Sequence, residues 1–97
     1  MEEIVYLNSL YDYYKELLTD KQRKYFEDYY HNDLTLSEIA ENNDVSRNAI
    51  HKQVRETVRI LETYEGKLGL LSKNKKIIEI IKKQNNDKLL EEIERIL

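Results

Sequence analysis

The stretch that most constrains the fold is "LTLSEIAENNDVSRNAI", Leu34 to Ile50, because it holds two helix starts in close succession. In "TLSE" the Thr35 hydroxyl can take one backbone N–H while Glu38 reaches back to another. This capping box predicts a helix from Leu36 to about Asn42. Leu34 and Ile39 have the spacing of a hydrophobic staple across that start. Ser46 predicts a second start, and Val45 and Ile50 repeat the staple spacing. Starts eleven residues apart leave room for one short helix and one turn, which is the helix-turn-helix arrangement. Two helices this close must cross tightly. Ala40 supplies the small side chain that the crossing needs. Ile39 and Val45 are expected to seal the turn from inside, and Ile50 and Val54 to seat the second helix.

The rest of the chain reads as helix too. It has no proline and only two glycines in 97 residues, whereas a sheet protein needs more turn formers. The predicted fold class is all-α, with five or six helices. The first runs from Glu2 to about Leu18. Ile4, Leu7, Tyr11, Tyr14 and Leu18 form one row at helical spacing, and Tyr6, Leu10, Tyr13 and Leu17 form a second. Together they exceed the stripe needed to face one core. The helix is therefore expected to be covered by its own domain and by something else, most simply a second protomer. Alternatively, its tyrosines set their phenol oxygens at the water boundary. "TDKQ" is a capping box on Thr19 and Gln22 that opens a second helix reaching about Tyr30, with Tyr25, Phe26, Tyr29 and Tyr30 as apolar bulk.

The helix that starts at Ser46 runs to about Glu65 with Ile50, Val54, Val58 and Leu61 on its apolar face, and Gly66 and Gly69 mark its end or a kink. "SKNKKIIEIIKKQ" predicts a further helix. Asp87 is expected to cap the last one, with Leu89, Leu90, Ile93, Ile96 and Leu97 on one face. Residues 1–70 are expected to form the helix-turn-helix domain, and residues 71–97 a helical extension used for packing or oligomerisation.

With the apolar positions of the second motif helix buried, its opposite face carries Arg47, Asn48, His51, Lys52 and Arg55, with Arg59 a turn further on. Arginine can take guanine edges with two hydrogen bonds, asparagine can take adenine, and lysine and arginine neutralise phosphates. Ser46 can offer its hydroxyl and the neighbouring N–H groups to a phosphate. The candidate nucleic-acid residues are therefore Ser46, Arg47, Asn48, His51, Lys52, Arg55 and Arg59. The chain as a whole has a formal charge of −3, yet Asp44 to Arg59 holds four basic and two acidic residues. A monomer with so small a basic face is expected to bind weakly, and two copies on adjacent half-sites would help. The competing reading is an all-helical adaptor whose basic stripe is only solvated surface.

Other chemistry has little support. The histidines, His31 and His51, lack ligand spacing, so no metal site is expected. There is no glycine-rich phosphate loop, so no nucleotide cofactor is expected. Without cysteine there is no disulfide framework and no thiolate nucleophile. The acidic pairs Glu2–Glu3 and Glu91–Glu92 read as exposed helix faces, and no catalytic constellation is visible, so the chain is not expected to be an enzyme. Tyrosines could stack on RNA bases, but most fall on apolar faces. No apolar run has membrane-spanning length, and the start is unlike a signal peptide, so a cytoplasmic protein is the expectation.

Residues 18 to 61 resemble region 4 of bacterial sigma factors, through "LT..Q" opening one helix, "SEIAE" in the next and "VSRNAI" opening the recognition helix. With "LYDYYKELLTDKQRKYFEDYY" before it and "RILETYEGKLGLL" after it, the chain looks like the YlxM family of small helix-turn-helix proteins of Gram-positive bacteria over about its first 72 residues. The genes of that family usually lie beside those for the signal recognition particle GTPase and its receptor. The resemblance thus implies a DNA-binding regulator, or a component linked to signal recognition particle targeting. The turn departs from related segments: Asn43 and Asp44 stand where a large apolar residue and then Gly or Asn are usual, so Asn43 is expected to lose core packing.

Overall fold

The computed structural model describes residues 2–97, the side chain of Glu2 excepted, and these residues form six α-helices, one 3-10 turn and no strand. The helices are α1 (Glu2–Tyr14), α2 (Asp20–Tyr30), α3 (Leu36–Asn42), α4 (Arg47–Leu68), α5 (Leu70–Lys83) and α6 (Asp87–Ile96). The all-α class expected from the sequence is what is observed.

Both capping boxes are present. Gln22 N–H donates to Thr19 Oγ1 at 3.1 Å and Thr19 N–H to Gln22 Oε1 at 2.9 Å. Glu38 N–H donates to Thr35 Oγ1 at 3.1 Å and Thr35 N–H to Glu38 Oε1 at 3.0 Å. α1 stops earlier than its pattern suggests. It tightens into a 3-10 turn at Lys15–Leu17, after which Leu18 is extended. The extended residue is needed to deliver Thr19 to the cap of α2, and the tight turn brings Leu18 back into the core.

The 22 residues of α4 form the centre of the molecule, packed by α1, α2 and α3. Its N-terminal half enters an apolar cluster of Tyr25, Leu36, Ile39, Ala40, Ile50 and Val54. Its C-terminal half enters a second cluster, where Leu61 meets Leu7, Leu10, Tyr11, Tyr14, Leu18 and Phe26. Thr57 lies between them, fully buried, with its hydroxyl donating to Gln53 O at 2.9 Å. The Tyr11 ring stacks on Phe26, with centroids 4.5 Å apart. Burial and a hydrogen bond to Glu27 both raise the Tyr11 phenol. His31, at the end of α2, sets its edge against both rings and its Nε2 2.9 Å from Asn8 Oδ1, so it is a packing residue.

The two rows of α1 divide. Leu7, Leu10, Tyr11 and Tyr14 are buried, as is Leu18 beyond the helix, whereas Ile4, Tyr6 and Leu17 are exposed. Part of the second row is covered by this chain's own α5. Leu71 packs on the cluster that holds Tyr13, and Asn74 Nδ2 donates to Tyr13 Oη at 3.0 Å. Glu3, Glu91 and Glu92 are exposed, and the Glu2 side chain lies outside the described residues.

Gly66 does not end α4, which continues to Leu68. The break comes at Gly69, whose φ of 63° makes it at once the C-cap of α4 and the residue preceding α5. α5 therefore begins two residues before the serine from which it is read in the sequence. A half-buried polar joint closes this corner. Tyr14 Oη donates to Glu65 Oε1 at 2.6 Å and accepts the Leu70 N–H at 3.1 Å. The Glu65 carboxylate also takes the N–H groups of Leu71 and Ser72, at 3.0 and 3.1 Å. Two residues distant in sequence thus satisfy the first turn of α5, where no local side-chain cap exists.

α5 and α6 then run as a hairpin through Asn85, at φ 53°, and α6 is capped by Asn86, whose Oδ1 accepts the Leu89 N–H. Asp87, expected as the cap, is instead the first helical residue, because Asn86 has the extended backbone that a cap needs. The chain measures 53 × 25 × 22 Å with a radius of gyration of 16.6 Å. A compact domain of this length would have about 12.5 Å. The difference reflects a projecting hairpin.

Gly66 is exposed, with open space where a Cβ would stand, so Gly66→Ala should stabilise the fold by about 0.5–1 kcal/mol. Gly69→Ala should destabilise it by about 1 kcal/mol, since its left-handed backbone strains a Cβ. Urea unfolding of both variants checks this pair. The joint gives a second expectation. Burial pushes the Glu65 carboxyl up, but the hydrogen bonds from Tyr14, Leu71 and Ser72 outweigh it and hold the group below its ordinary value. Glu65 therefore binds its proton more weakly folded than unfolded. Its stabilising effect is complete above the unfolded value of about 4.3 and fades as pH falls through the lower folded value. Glu65→Gln should flatten the acid limb of a stability-against-pH curve, and Tyr14→Phe should cost about 1–2 kcal/mol at neutral pH.

Candidate nucleic-acid interface

α3 and α4 meet at the small Ala40, with Ile39 and Ile50 fully buried beside it. The turn between them is built on Asn43. Its Nδ2 donates to Ile39 O at 2.7 Å, capping α3, and its Oδ1 accepts Lys24 Nζ at 3.0 Å. The half-buried asparagine therefore replaces the expected apolar contact with hydrogen bonds to α3 and α2. Asp44 adopts the left-handed conformation, φ 55°, that Gly or Asn usually supplies, and its side chain is exposed. The chain leaves this residue with Val45 42% exposed, its N–H on Ala40 O at 3.1 Å. Val45 thus does not seal the turn from inside, and Ile39 and Ile50 close it with Leu36, Ala40 and Val54. Asn43→Ala should cost about 1 kcal/mol, read from the urea midpoint, because it removes the side-chain hydrogen bonds to Ile39 O and from Lys24.

Ser46 caps α4 with its Oγ, which accepts the Ala49 N–H at 3.1 Å and leaves the hydroxyl proton free to donate elsewhere. Arg47, Asn48, His51, Lys52, Arg55 and Arg59 are all exposed, as expected from the sequence. Asn48, Lys52, Arg55 and Arg59 follow one another at helical spacing, a stripe about 16 Å long at 1.5 Å per residue. Together with His51 they line one shallow concavity of about 620 Å³. Arg47 turns to a neighbouring groove, beside Tyr29, Tyr30 and Asp33.

The concavity also holds residues that the sequence reading did not assign to this surface. Glu3 from α1 and Tyr30 from α2 line it, with Glu56 and Glu62 from α4 itself. Glu56 and Glu62 are legible at helical spacing beside Arg59 and Arg55. Glu3 is not, because only the tertiary fold brings α1 to α4. Arg59 is not a free cation. Its Nε donates to Glu56 Oε2 at 3.1 Å and its Nη2 to Oε1. That pairing raises the guanidinium and lowers the Glu56 carboxyl from their ordinary values. Among the described residues the ion pairs involve Arg23 and Arg59, and none involves Arg47, Lys52 or Arg55.

Residues 1–96 match the family described as "Putative helix-turn-helix protein, YlxM / p13 like". The chain belongs to this family. It is 47% identical over 81 residues to a relative from Halalkalibacterium halodurans, an alignment covering 84% of this chain and 74% of the relative. A relative from Geobacillus kaustophilus is also 47% identical, over 83 residues, covering 86% and 76%. One from Fusobacterium nucleatum is 39% identical over 97 residues, covering 100% and 94%. All three carry the family name, UPF0122 protein. The description is of a helix-turn-helix protein and not of an enzyme. No helix among the described residues is long and apolar enough to cross a membrane.

Proposed function

We propose that this chain is a cytoplasmic, non-enzymatic DNA-binding regulator that lays the first half of α4 in the major groove. The observation that carries this reading is the exposed stripe on the second helix of the motif, opposite the side that Ile50 and Val54 bury. Helix-turn-helix proteins contact base edges with the N-terminal residues of that helix. Arg47, Asn48 and His51 occupy those positions, and Lys52 and Arg55 suit phosphates one turn on. Ser46 offers its hydroxyl proton to a phosphate at the helix start. Arg59 would have to give up Glu56 to take one. In this reading residues 1–70 are the sigma-region-4-like binding domain and residues 71–97 an extension of it.

A second reading has its own support. Glu3, Glu56 and Glu62 set three carboxylates beside Lys52, Arg55 and Arg59, so the concavity attracts a polyanion only weakly at range. A surface so balanced suits an adaptor or RNA-associated factor in signal recognition particle targeting, the pathway that the gene neighbourhood of the family suggests.

Binding to random-sequence duplex DNA and to structured RNA across a salt series separates the two. For the DNA regulator, Arg47→Ala with Lys52→Ala should weaken duplex binding about tenfold or more and, through the lost Lys52 phosphate contact, lower the salt slope by about 1. Circular dichroism should be unchanged. Absence of duplex binding at low salt, or binding unmoved by the double variant, defeats that reading. RNA binding that the double variant leaves intact favours the adaptor.

A further inference from the structure

The α5–α6 hairpin buries none of its residues, although both helices are amphipathic. Ile78, Ile81, Leu90 and Ile93 are half-buried. On one side, Leu71, Asn74 and Ile78 turn toward α1. On the other side Ile77 is 39% exposed, Ile80 58%, Leu89 38% and Ile96 80%. Ile77 and Ile80 are three residues apart on α5, and Leu89 and Ile96 seven apart on α6, so each pair lies along one helical face. A two-helix hairpin is a half-built bundle, and four-helix bundles complete such an apolar face with a second pair.

The charges say which second pair fits. α5 carries five lysines and one glutamate, and α6 carries four acidic and two basic residues. By helical spacing Lys76 and Lys83 border the apolar face on the α5 side, and Glu92 borders it on the α6 side. In an isologous pair every contact occurs twice, so α5 of one copy can lie beside α6 of the other, with Lys76 and Lys83 of one copy beside Glu92 of its partner. Pairing α5 with α5 would set lysine against lysine.

We propose that this outer face is a self-association surface: two copies join their hairpins into an antiparallel four-helix bundle, Ile77, Ile80, Leu89 and Ile96 of each forming its centre. The two helix-turn-helix units then project from a shared stem. The inference stands independently of what those units bind.

Sedimentation equilibrium of the full chain over a wide concentration range tests it. The wild type should show twice the 11.7 kDa of one chain. Ile80→Gln with Ile96→Gln should raise the dimer dissociation constant on the order of a hundredfold, because these are central apolar anchors. Both side chains are more than half exposed in the single chain, so its helicity should be unaffected. Lys76→Glu should weaken association, and adding Glu92→Lys should restore it. A single-chain mass at all concentrations overturns the proposal. So does a dimer that the isoleucine pair leaves intact. A single-chain mass combined with binding to vesicles of phosphatidylserine and phosphatidylcholine would assign the lysine-edged face to a membrane surface and overturn it likewise.

Discussion

Everything in this molecule hangs on the unbroken buried face of α4. A helix of 22 residues spans about 33 Å, more than one small core can cover. Two apolar clusters share it, one built with α3 and Tyr25 of α2, the other with α1 and Phe26 of α2. Ile50 and Val54 serve the first and Leu61 the second. Thr57 sits at the change-over, where its hydroxyl satisfies itself on the preceding turn. The motif is therefore held as part of a longer element whose far end is locked by Tyr14 and Glu65.

The starts of α2 and α3 were legible because capping is local: a threonine, and a glutamine or glutamate three residues on, carry the whole signal. The ends were less so. Gly66 reads as a stop, yet α4 passes through it, because Leu61 and the Glu65 joint hold that turn in place. The joint itself could not be seen, since Tyr14 and Glu65 are fifty-one residues apart. α1 looked too apolar for its own domain. Part of the excess is met by α5, which the lysine-rich tail sequence did not advertise as a partner for tyrosine.

The exposure of the candidate surface followed from periodicity: once Ile50, Val54 and Leu61 face inward, Asn48, Lys52, Arg55 and Arg59 must face out. What surrounds them did not follow. Glu3 reaches the concavity from α1, distant in sequence, and Glu56 closes on Arg59. At physiological salt, charges are screened beyond about 8 Å. The cations of α4 and the carboxylates among them thus act on a partner mainly at contact, and orientation matters more there than net charge.

Gly69 has a consequence for how the two ends of the molecule are phased. A single residue joins α4 to α5, with no loop to absorb slack. Adding one residue to α4 would turn the hairpin by about 100° about the helix axis and advance it about 1.5 Å. Adding eighteen would restore the original bearing after about five turns. α4 is in this sense a crankshaft, and its residue count sets the angle at which tail and motif face the world.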